Sequence, residues 1–166
     1  MLCLIARLDR DSAERLDRLR YAAGRIPSRS LHGHITVATY TGSDEGAFTA
    51  ACRELAARLP AFEVRYSRIE VLEETSIIVA TPEISEPFRM LQQRISERFG
   101  DSLDRWTVGS AWTPHTTLIY DPKADLHALC RKMSEQFSPF TARINTLEFS
   151  RVLEQGYEPA GSIRLG

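Results

Sequence analysis

Apolar runs alternate with amphipathic stretches along the first 72 residues. The run LCLIARL at residues 2–8 is apolar enough for a buried strand, and HITVATY at residues 34–40 is rich in β-branched and aromatic side chains. Between them, Leu16, Leu19 and Ala23 recur at helical spacing. The predicted elements are a strand over residues 2–8, a helix from Ser12 to Gly24, a strand over 34–40, a helix ending at Leu59 and a strand over 62–72.

The remaining residues repeat this order of elements. The predicted elements are a strand over residues 76–81, a helix from Glu86 to Phe99, a strand over 115–120, a helix from Asp125 to Phe137, a strand over 140–149 and a short closing strand from Ser162 to Leu165. Each half therefore reads strand, helix, strand, helix, strand. The second half carries a longer connection, over residues 100–114, before its H-x-T segment.

Part of this repetition is visible residue by residue. The pattern F-x-x-R-x-x-x-[IL]-E occurs at residues 62–70 and again at residues 140–148, an offset of 78. A duplicated unit of this kind predicts an α+β fold with two lobes related by a pseudo-twofold axis, each a small sheet with flanking helices, around a central cleft. We therefore expect one bilobal domain over residues 1–166, with an internal duplication of roughly 1–73 and 74–166.

A second pair of repeated segments holds the candidate chemistry. HITV at residues 34–37 and HTTL at residues 115–118 each place a histidine two residues before a threonine, at the start of a predicted strand. Because positions i and i+2 of a strand point to the same face, each segment presents an imidazole beside a hydroxyl. The candidate catalytic residues are His34, Thr36, His115 and Thr117.

Two imidazoles and two hydroxyls suit acid–base attack on a phosphodiester. Because imidazole titrates near neutral pH, one histidine can accept a proton while the other donates one. The threonine hydroxyls can donate hydrogen bonds to the non-bridging phosphoryl oxygens. This chemistry requires neither a metal nor a cofactor.

The two H-x-T-[apolar] motifs, about eighty residues apart in a duplicated α+β chain, resemble those of the two-histidine (2H) phosphoesterase superfamily. The branch that they resemble includes bacterial RNA 2′,5′-ligase-like proteins and cyclic phosphodiesterases. The resemblance implies that the four motif residues line a central cleft. It also implies hydrolysis of a 2′,3′-cyclic phosphate or a 2′,5′-linked phosphodiester, with one histidine activating water and the other protonating the departing ribose oxygen.

Other side chains are candidates for substrate binding. Tyr40 shares its parity with His34, so we expect it to reach the cleft and stack on a base. Trp112 lies in the longer connection, where it either caps the substrate or covers the edge of the core. Arg65 and Arg143 of the repeated pattern are either phosphate ligands or cations on a solvated strand face.

Composition narrows the partners and the compartment. With 21 basic and 22 acidic residues, the chain carries no field that would draw it onto long nucleic acid, so we expect a nucleotide or an RNA terminus as the partner. The three cysteines are widely spaced and odd in number, which favours a reducing compartment. No apolar run approaches the ~20 residues of a membrane span, and the first residues do not resemble a signal peptide. We expect a cytoplasmic monomer that does not enter membranes.

Two alternatives remain at this stage. His32 and His34 form an H-x-H pair that would chelate zinc with His115 or His127, as in a metal-dependent hydrolase. A second possibility is a non-catalytic module that binds nucleotides or RNA ends. Activity after chelation excludes the first, and turnover of a cyclic phosphate excludes the second.

Overall fold

The computed structural model describes residues 1–25, 33–72, 74–154 and 156–166, which form eight strands and four α-helices. The strands are β1 (Leu2–Arg7), β2 (His34–Tyr40), β3 (Phe62–Val71), β4 (Ile77–Glu83), β5 (Thr116–Tyr120), β6 (Phe140–Ile144), β7 (Thr146–Leu153) and β8 (Gly156–Arg164). The helices are α1 (Arg10–Ala22), α2 (Glu45–Ala56), α3 (Glu86–Phe99) and α4 (Leu126–Gln136). Within the described ranges, none of the helices is long and apolar enough to cross a bilayer.

Aspartate side chains begin three of the helices. Asp9, Asp44 and Asp125 each accept a hydrogen bond from the backbone N–H three residues later, at 2.8 to 3.0 Å. Helix α1 therefore begins at Arg10 rather than at the predicted Ser12, whose backbone N–H and hydroxyl both bond to the Asp9 carboxylate.

The strands form two antiparallel four-stranded sheets, which confirms the predicted α+β fold class. Sheet A has the order β2-β1-β7-β8, and sheet B has the order β5-β4-β3-β6. Helices α2 and α3 lie over sheet A, where the Phe48 ring of α2 contacts the Phe149 ring of β7. Helices α1 and α4 lie over sheet B.

Each sheet draws strands from both halves of the sequence. Strand β3 belongs to the first half but pairs with β4 in sheet B, and β7 belongs to the second half but pairs with β1 in sheet A. Helix α1 follows β1 of sheet A but packs on β5 and β6. The expected boundary between residues 73 and 74 therefore does not separate the two sheets, because both halves contribute to each of them.

The repeated pattern meets itself where β3 pairs with β6. Phe62 lies opposite Ile144, Val64 opposite Ala142, and Tyr66 opposite Phe140. Val64 and Ala142 are 78 residues apart, so the repeat makes them equivalent to each other. When Phe62 and Ile144 are replaced by their equivalents in the repeat, the pair becomes Phe140 with Tyr66, which is also observed. A local twofold axis of this strand pair therefore passes between Val64 and Ala142, which is the symmetry that the repeat predicts at this position.

Two strands differ from their predicted bounds by more than one or two residues at an end. The strand predicted over residues 140–149 is broken at Asn145, because β6 pairs in sheet B and β7 pairs in sheet A. The backbone carbonyl of Asn145 instead accepts a hydrogen bond from the backbone N–H of Leu165 at 2.9 Å. The closing strand is longer than predicted and begins at Gly156.

Both motif strands carry a β-bulge at the same place in the motif. On β2, Thr36 pairs with Ile5 and Ala38 with Leu4, which leaves Val37 as the extra residue. On β5, the register shift leaves Leu118 as the extra residue. Each bulged residue is therefore the fourth of its H-x-T-[apolar] segment. A bulge reverses the alternation of side chains beyond it. Residues after each motif therefore point to the strand face opposite to the one that strict alternation from the histidine predicts.

Candidate active site

A cavity of about 620 Å³ lies among β2, the end of β3 and the connection that precedes β5. Residues from both lobes line it, including Thr36 of β2, His115 immediately before β5, and Glu70 of β3. The indole rings of Trp106 and Trp112, from the connection that precedes β5, form part of its wall. This volume falls within the range typical of small-molecule sites.

One residue of each predicted motif lines this cavity, Thr36 from the first and His115 from the second. His34 and Thr117 are not among the described residues that line it. His34 and Thr36 share a face of β2, because the register with β1 is regular between them. All four side chains are half-buried. The structure thus brings the Thr36 hydroxyl of sheet A and the His115 imidazole, immediately before β5 of sheet B, to one cavity, and a place for His34 and Thr117 at the same cavity stays a prediction.

The middle residue of the second motif joins the two lobes. The Thr116 hydroxyl donates a hydrogen bond to the backbone carbonyl of His34 at 2.9 Å, and it accepts one from the buried Tyr66 hydroxyl at 2.5 Å. As alternation predicts, Thr116 points away from the cavity and is buried. Burial raises the pKa of Tyr66, so its phenol remains a donor at neutral pH.

The backbone carbonyl of each motif threonine accepts a side-chain hydrogen bond from the opposite half of the chain. The Trp112 Nε1–H donates to the Thr36 carbonyl at 2.8 Å. The Arg20 guanidinium donates to the Thr117 carbonyl at 2.6 Å and to the Leu118 carbonyl at 3.0 Å. These donors satisfy carbonyl groups beside the bulges, where the ladder of backbone hydrogen bonds is interrupted.

The imidazole of His115 is held by one ring nitrogen. Its Nδ1 lies 2.7 Å from the Thr113 carbonyl oxygen, which can only accept, so Nδ1 carries the proton. When the ring is neutral, Nε2 therefore carries the lone pair. Burial lowers the pKa of His115, although the Thr113 carbonyl opposes this shift by favouring the charged ring. At neutral pH, His115 is thus a neutral base with its accepting nitrogen at Nε2.

The expectation that Tyr40 reaches the cleft is wrong. Its ring is buried and stacks on Phe48 with centroids 4.5 Å apart. In a regular strand, Ala38 and Tyr40 would share the face of His34 and Thr36. The bulge at Val37 reverses the alternation of side chains, so Thr39 lines the cavity instead. Thr39 is held there by its backbone N–H, which donates to the Thr107 hydroxyl at 3.1 Å.

Comparison with known proteins identifies the family. The family model described as the 2′-5′ RNA ligase superfamily matches residues 8–156. The chain belongs to this superfamily. Membership supports a phosphoesterase or RNA ligase-like enzymatic activity. No curated protein sequence matches the chain.

Solved structures of other proteins share the fold of this superfamily member. LigT from E. coli complexed with 3′-AMP aligns with a TM-score of 0.68 at 16% identity, over 99% of this chain and 97% of that one. A structure named only as a phosphoesterase aligns with a TM-score of 0.68 at 17% identity, with the same coverage. TT0787 of Thermus thermophilus aligns with a TM-score of 0.65 at 15% identity, again over 99% and 97% of the chains.

The cavity of this superfamily member holds little formal charge. Among the described residues that line it, Glu70 is the one carboxylate, and none is an arginine or lysine. Arg65 and Arg143 are exposed and do not line it. Hydrogen-bond donors that side chains offer in this cavity therefore come from hydroxyl, imidazole and indole groups rather than from cationic side chains.

The zinc alternative depends on His32, which lies outside the described residues, so the H-x-H pair stays a prediction. His127 is exposed on α4 and does not line the cavity. Within residues 1–25, 33–72, 74–154 and 156–166, no group of three or more histidine, cysteine, aspartate or glutamate side chains is placed to hold a metal ion.

Three residues near the motifs were not predicted from the sequence. Glu70 is the last residue of the repeated pattern, and its recurrence as Glu148 is the sequence signal that marks it. Trp106 lies in the long connection, where no periodicity marks it; it lines the cavity, and 55% of its surface is exposed. Arg20 is one of several arginines on helix α1, and the sequence does not distinguish it from the others. It differs from them in being buried.

Proposed function

We propose that this protein is a metal-independent phosphoesterase that hydrolyses a 2′,3′-cyclic phosphate or a 2′,5′-linked phosphodiester of a nucleotide or RNA end. One observation carries the proposal above all. His115 lines the same cavity as Thr36 from the other lobe, and its Nδ1 bond to the Thr113 carbonyl leaves Nε2 as the accepting atom. LigT of E. coli, which shares this fold, was crystallised with 3′-AMP.

In the proposed reaction, His115 is the general base and His34 the general acid. Nε2 of His115 takes a proton from water as the water oxygen forms a bond to phosphorus. The bond from phosphorus to one ribose oxygen breaks, and His34 donates a proton to that oxygen. The products are a ribose hydroxyl and a phosphate monoester. The lowered pKa of His115 supports this assignment, since a base must be neutral at the working pH.

Thr36 and Thr117 have a separate part in the proposal. Their hydroxyls donate hydrogen bonds to the non-bridging phosphoryl oxygens, where charge is redistributed during attack. The bonds from Trp112 and Arg20 to the carbonyls of these two threonines support it, because they restrict the backbone at both positions. Loss of either hydroxyl is expected to cost roughly 10²-fold in kcat.

The test uses a panel of nucleoside 2′,3′-cyclic phosphates and 2′,5′-linked dinucleotides. His34→Ala and His115→Ala should each lower kcat by roughly 10² to 10⁴ while circular dichroism shows the fold intact. His127→Ala is the matched control, because His127 is exposed on α4 and does not line the cavity. If wild-type protein binds nucleotides but turns over none of the panel, the non-catalytic binding module replaces this proposal.

A further inference from the structure

Glu70 is a carboxylate placed within a cleft that is proposed to bind a phosphodiester. It lies on β3 and lines the cavity together with His115. A negative charge there disfavours a phosphate beside it, and Arg68 is its ion-pair partner within the protein. In register, Glu70 lies opposite Val79, and Val79 lies opposite Thr117, so the carboxylate stands two strands away from the motif threonine. That separation suits the portion of a ligand beyond the phosphate.

One oxygen of this carboxylate is committed to the protein. Oε1 accepts hydrogen bonds from the Thr81 hydroxyl at 2.5 Å and from Arg68 Nε at 3.0 Å. These two bonds fix the orientation of the carboxylate. Within the described part of the chain, no residue donates a hydrogen bond to Oε2. Glu70 thus offers an oriented, half-buried acceptor at the cavity.

The equivalent residue of the other lobe differs in this respect. Glu148 occupies the same position of the repeated pattern as Glu70. Its Oε2 accepts from Arg7 at 2.7 Å, and its Oε1 accepts from the Ser150 hydroxyl at 3.0 Å. Both oxygens of Glu148 are therefore occupied. In this pair, each oxygen of Glu148 has a donor, whereas Oε2 of Glu70 has none among the described residues.

Aromatic side chains line the same cavity as Glu70. The indole rings of Trp106 and Trp112 line it, and Trp106 retains 55% of its surface exposed. Arg105 covers one face of the Trp106 indole, with its guanidinium carbon 4.5 Å from the ring centroid. Indole rings beside a hydrogen-bond acceptor are the combination by which proteins hold an unpaired base and read its edge.

We propose that Glu70 reads the nucleobase of the substrate by accepting a hydrogen bond at Oε2 from an exocyclic amino group of a base packed against Trp106 and Trp112. The inference rests on the proposed function in so far as the ligand is a nucleotide. It assigns the cleft to adenine, guanine or cytosine rather than uracil, which has no amino group. Glutamate accepting from a base amino group is an established pairing.

The test measures binding of nucleoside 3′-monophosphates by titration calorimetry, in pairs in which one base carries an exocyclic amino group that the other lacks. The pairs are guanosine with inosine, adenosine with purine riboside, and cytidine with uridine. Wild-type protein should bind the amino-bearing member of at least one pair roughly tenfold more tightly, since hydrogen bonds to charged groups are among the stronger ones. In Glu70→Ala and in Glu70→Gln, that ratio should fall to within about twofold.

Glu148→Ala is the matched control, and it should leave the ratio unchanged because both Glu148 oxygens already have protein partners. Equal affinities within every pair for wild-type protein would overturn the proposal, as would a ratio that persists in both Glu70 variants. Uniform weakening of all six nucleotides in Glu70→Ala would assign the contact to ribose and equally refute base reading.

Binding and turnover separate this inference from the proposed function. If the pairs are discriminated through Glu70 but no cyclic phosphate is hydrolysed, base reading stands and the phosphoesterase proposal fails. If cyclic phosphates are hydrolysed without discrimination in binding, the phosphoesterase proposal stands and base reading fails.

Discussion

The Thr116 hydroxyl donates a 2.9 Å hydrogen bond to the backbone carbonyl of His34. This bond joins the second motif to the first. It is made by the second residue of the motif, the one position that is polar in HTTL and apolar in HITV. The corresponding residue of the first motif is Ile35, which is fully buried. The relative position of the two histidines therefore depends on a contact that only one motif can make.

Thr116→Val tests this contact. The substitution keeps the shape of the side chain but leaves the buried Tyr66 hydroxyl without its acceptor, so we expect a loss of about 1–3 kcal/mol in the free energy of unfolding. Urea denaturation measures it, with the exposed Thr141→Val as control. The double variant with Tyr66→Phe should lose less than the sum of the two single losses, and strict additivity would contradict the coupling.

The pH dependence of kcat/KM distinguishes the two histidine roles. If His115 is the base, activity requires its neutral form and falls as pH drops through its pKa. Because burial lowers that pKa from the ordinary value of 6.5, the acid limb of the profile should lie below pH 6.5. A profile in which activity instead falls as pH rises through the His115 pKa, measured by NMR, would make His115 the acid.

Arg20 is expected to hold the bulge of the second motif. Arg20→Met removes the donors to the Thr117 and Leu118 carbonyls and leaves both unsatisfied beside the bulge, so kcat should fall roughly tenfold or more. Arg20→Lys should recover little, because an ammonium group lacks the fork that spans two carbonyls.

The control for Arg20 lies on the same helix. Arg18 is exposed, so Arg18→Met should change neither kcat nor the free energy of unfolding by more than a few tenths of a kcal/mol. Equal effects from the Arg18 and Arg20 variants would indicate that charge on α1 matters rather than the bonds to β5.

Trp112 is expected to act through Thr36. Trp112→Phe keeps an aromatic ring against Phe88 but removes the Nε1–H that donates to the Thr36 carbonyl, and kcat should fall roughly tenfold. In the Thr36→Ala background the same substitution should cost much less, because the group that it positions is already absent. Full additivity of the two changes in kcat would show that Trp112 acts independently of Thr36.

Chelation should leave the hydrolytic activity unchanged. The proposed reaction moves its protons through imidazoles, and within the ranges described above no cluster of metal-ligating side chains adjoins the cavity. Protein dialysed against EDTA should retain its kcat within about twofold, and added zinc should not increase it. Loss of activity that zinc restores would favour the H-x-H chelate instead.

Local patterns in the sequence were sufficient to predict most elements and both motifs. The β-branched run at residues 34–40 and the helical spacing of Leu16 and Leu19 reflect short-range preferences, which neighbouring residues express without the rest of the fold. The strand alternation that pairs His34 with Thr36 is local in the same sense. The repeat at residues 62–70 and 140–148 likewise corresponds to the pairs that meet at the twofold axis.

The tertiary structure decided which side chains reach the cleft and which chain segments form each lobe. Whether Val37 is bulged depends on the register with β1, so the burial of Tyr40 and the placement of Thr39 depend on a partner strand some thirty residues away. The break at Asn145 and the contact of Arg20 with β5 arise in the same way. Periodicity reports how a segment divides apolar from polar faces, whereas hydrogen-bond pairing between distant segments determines where those faces lie.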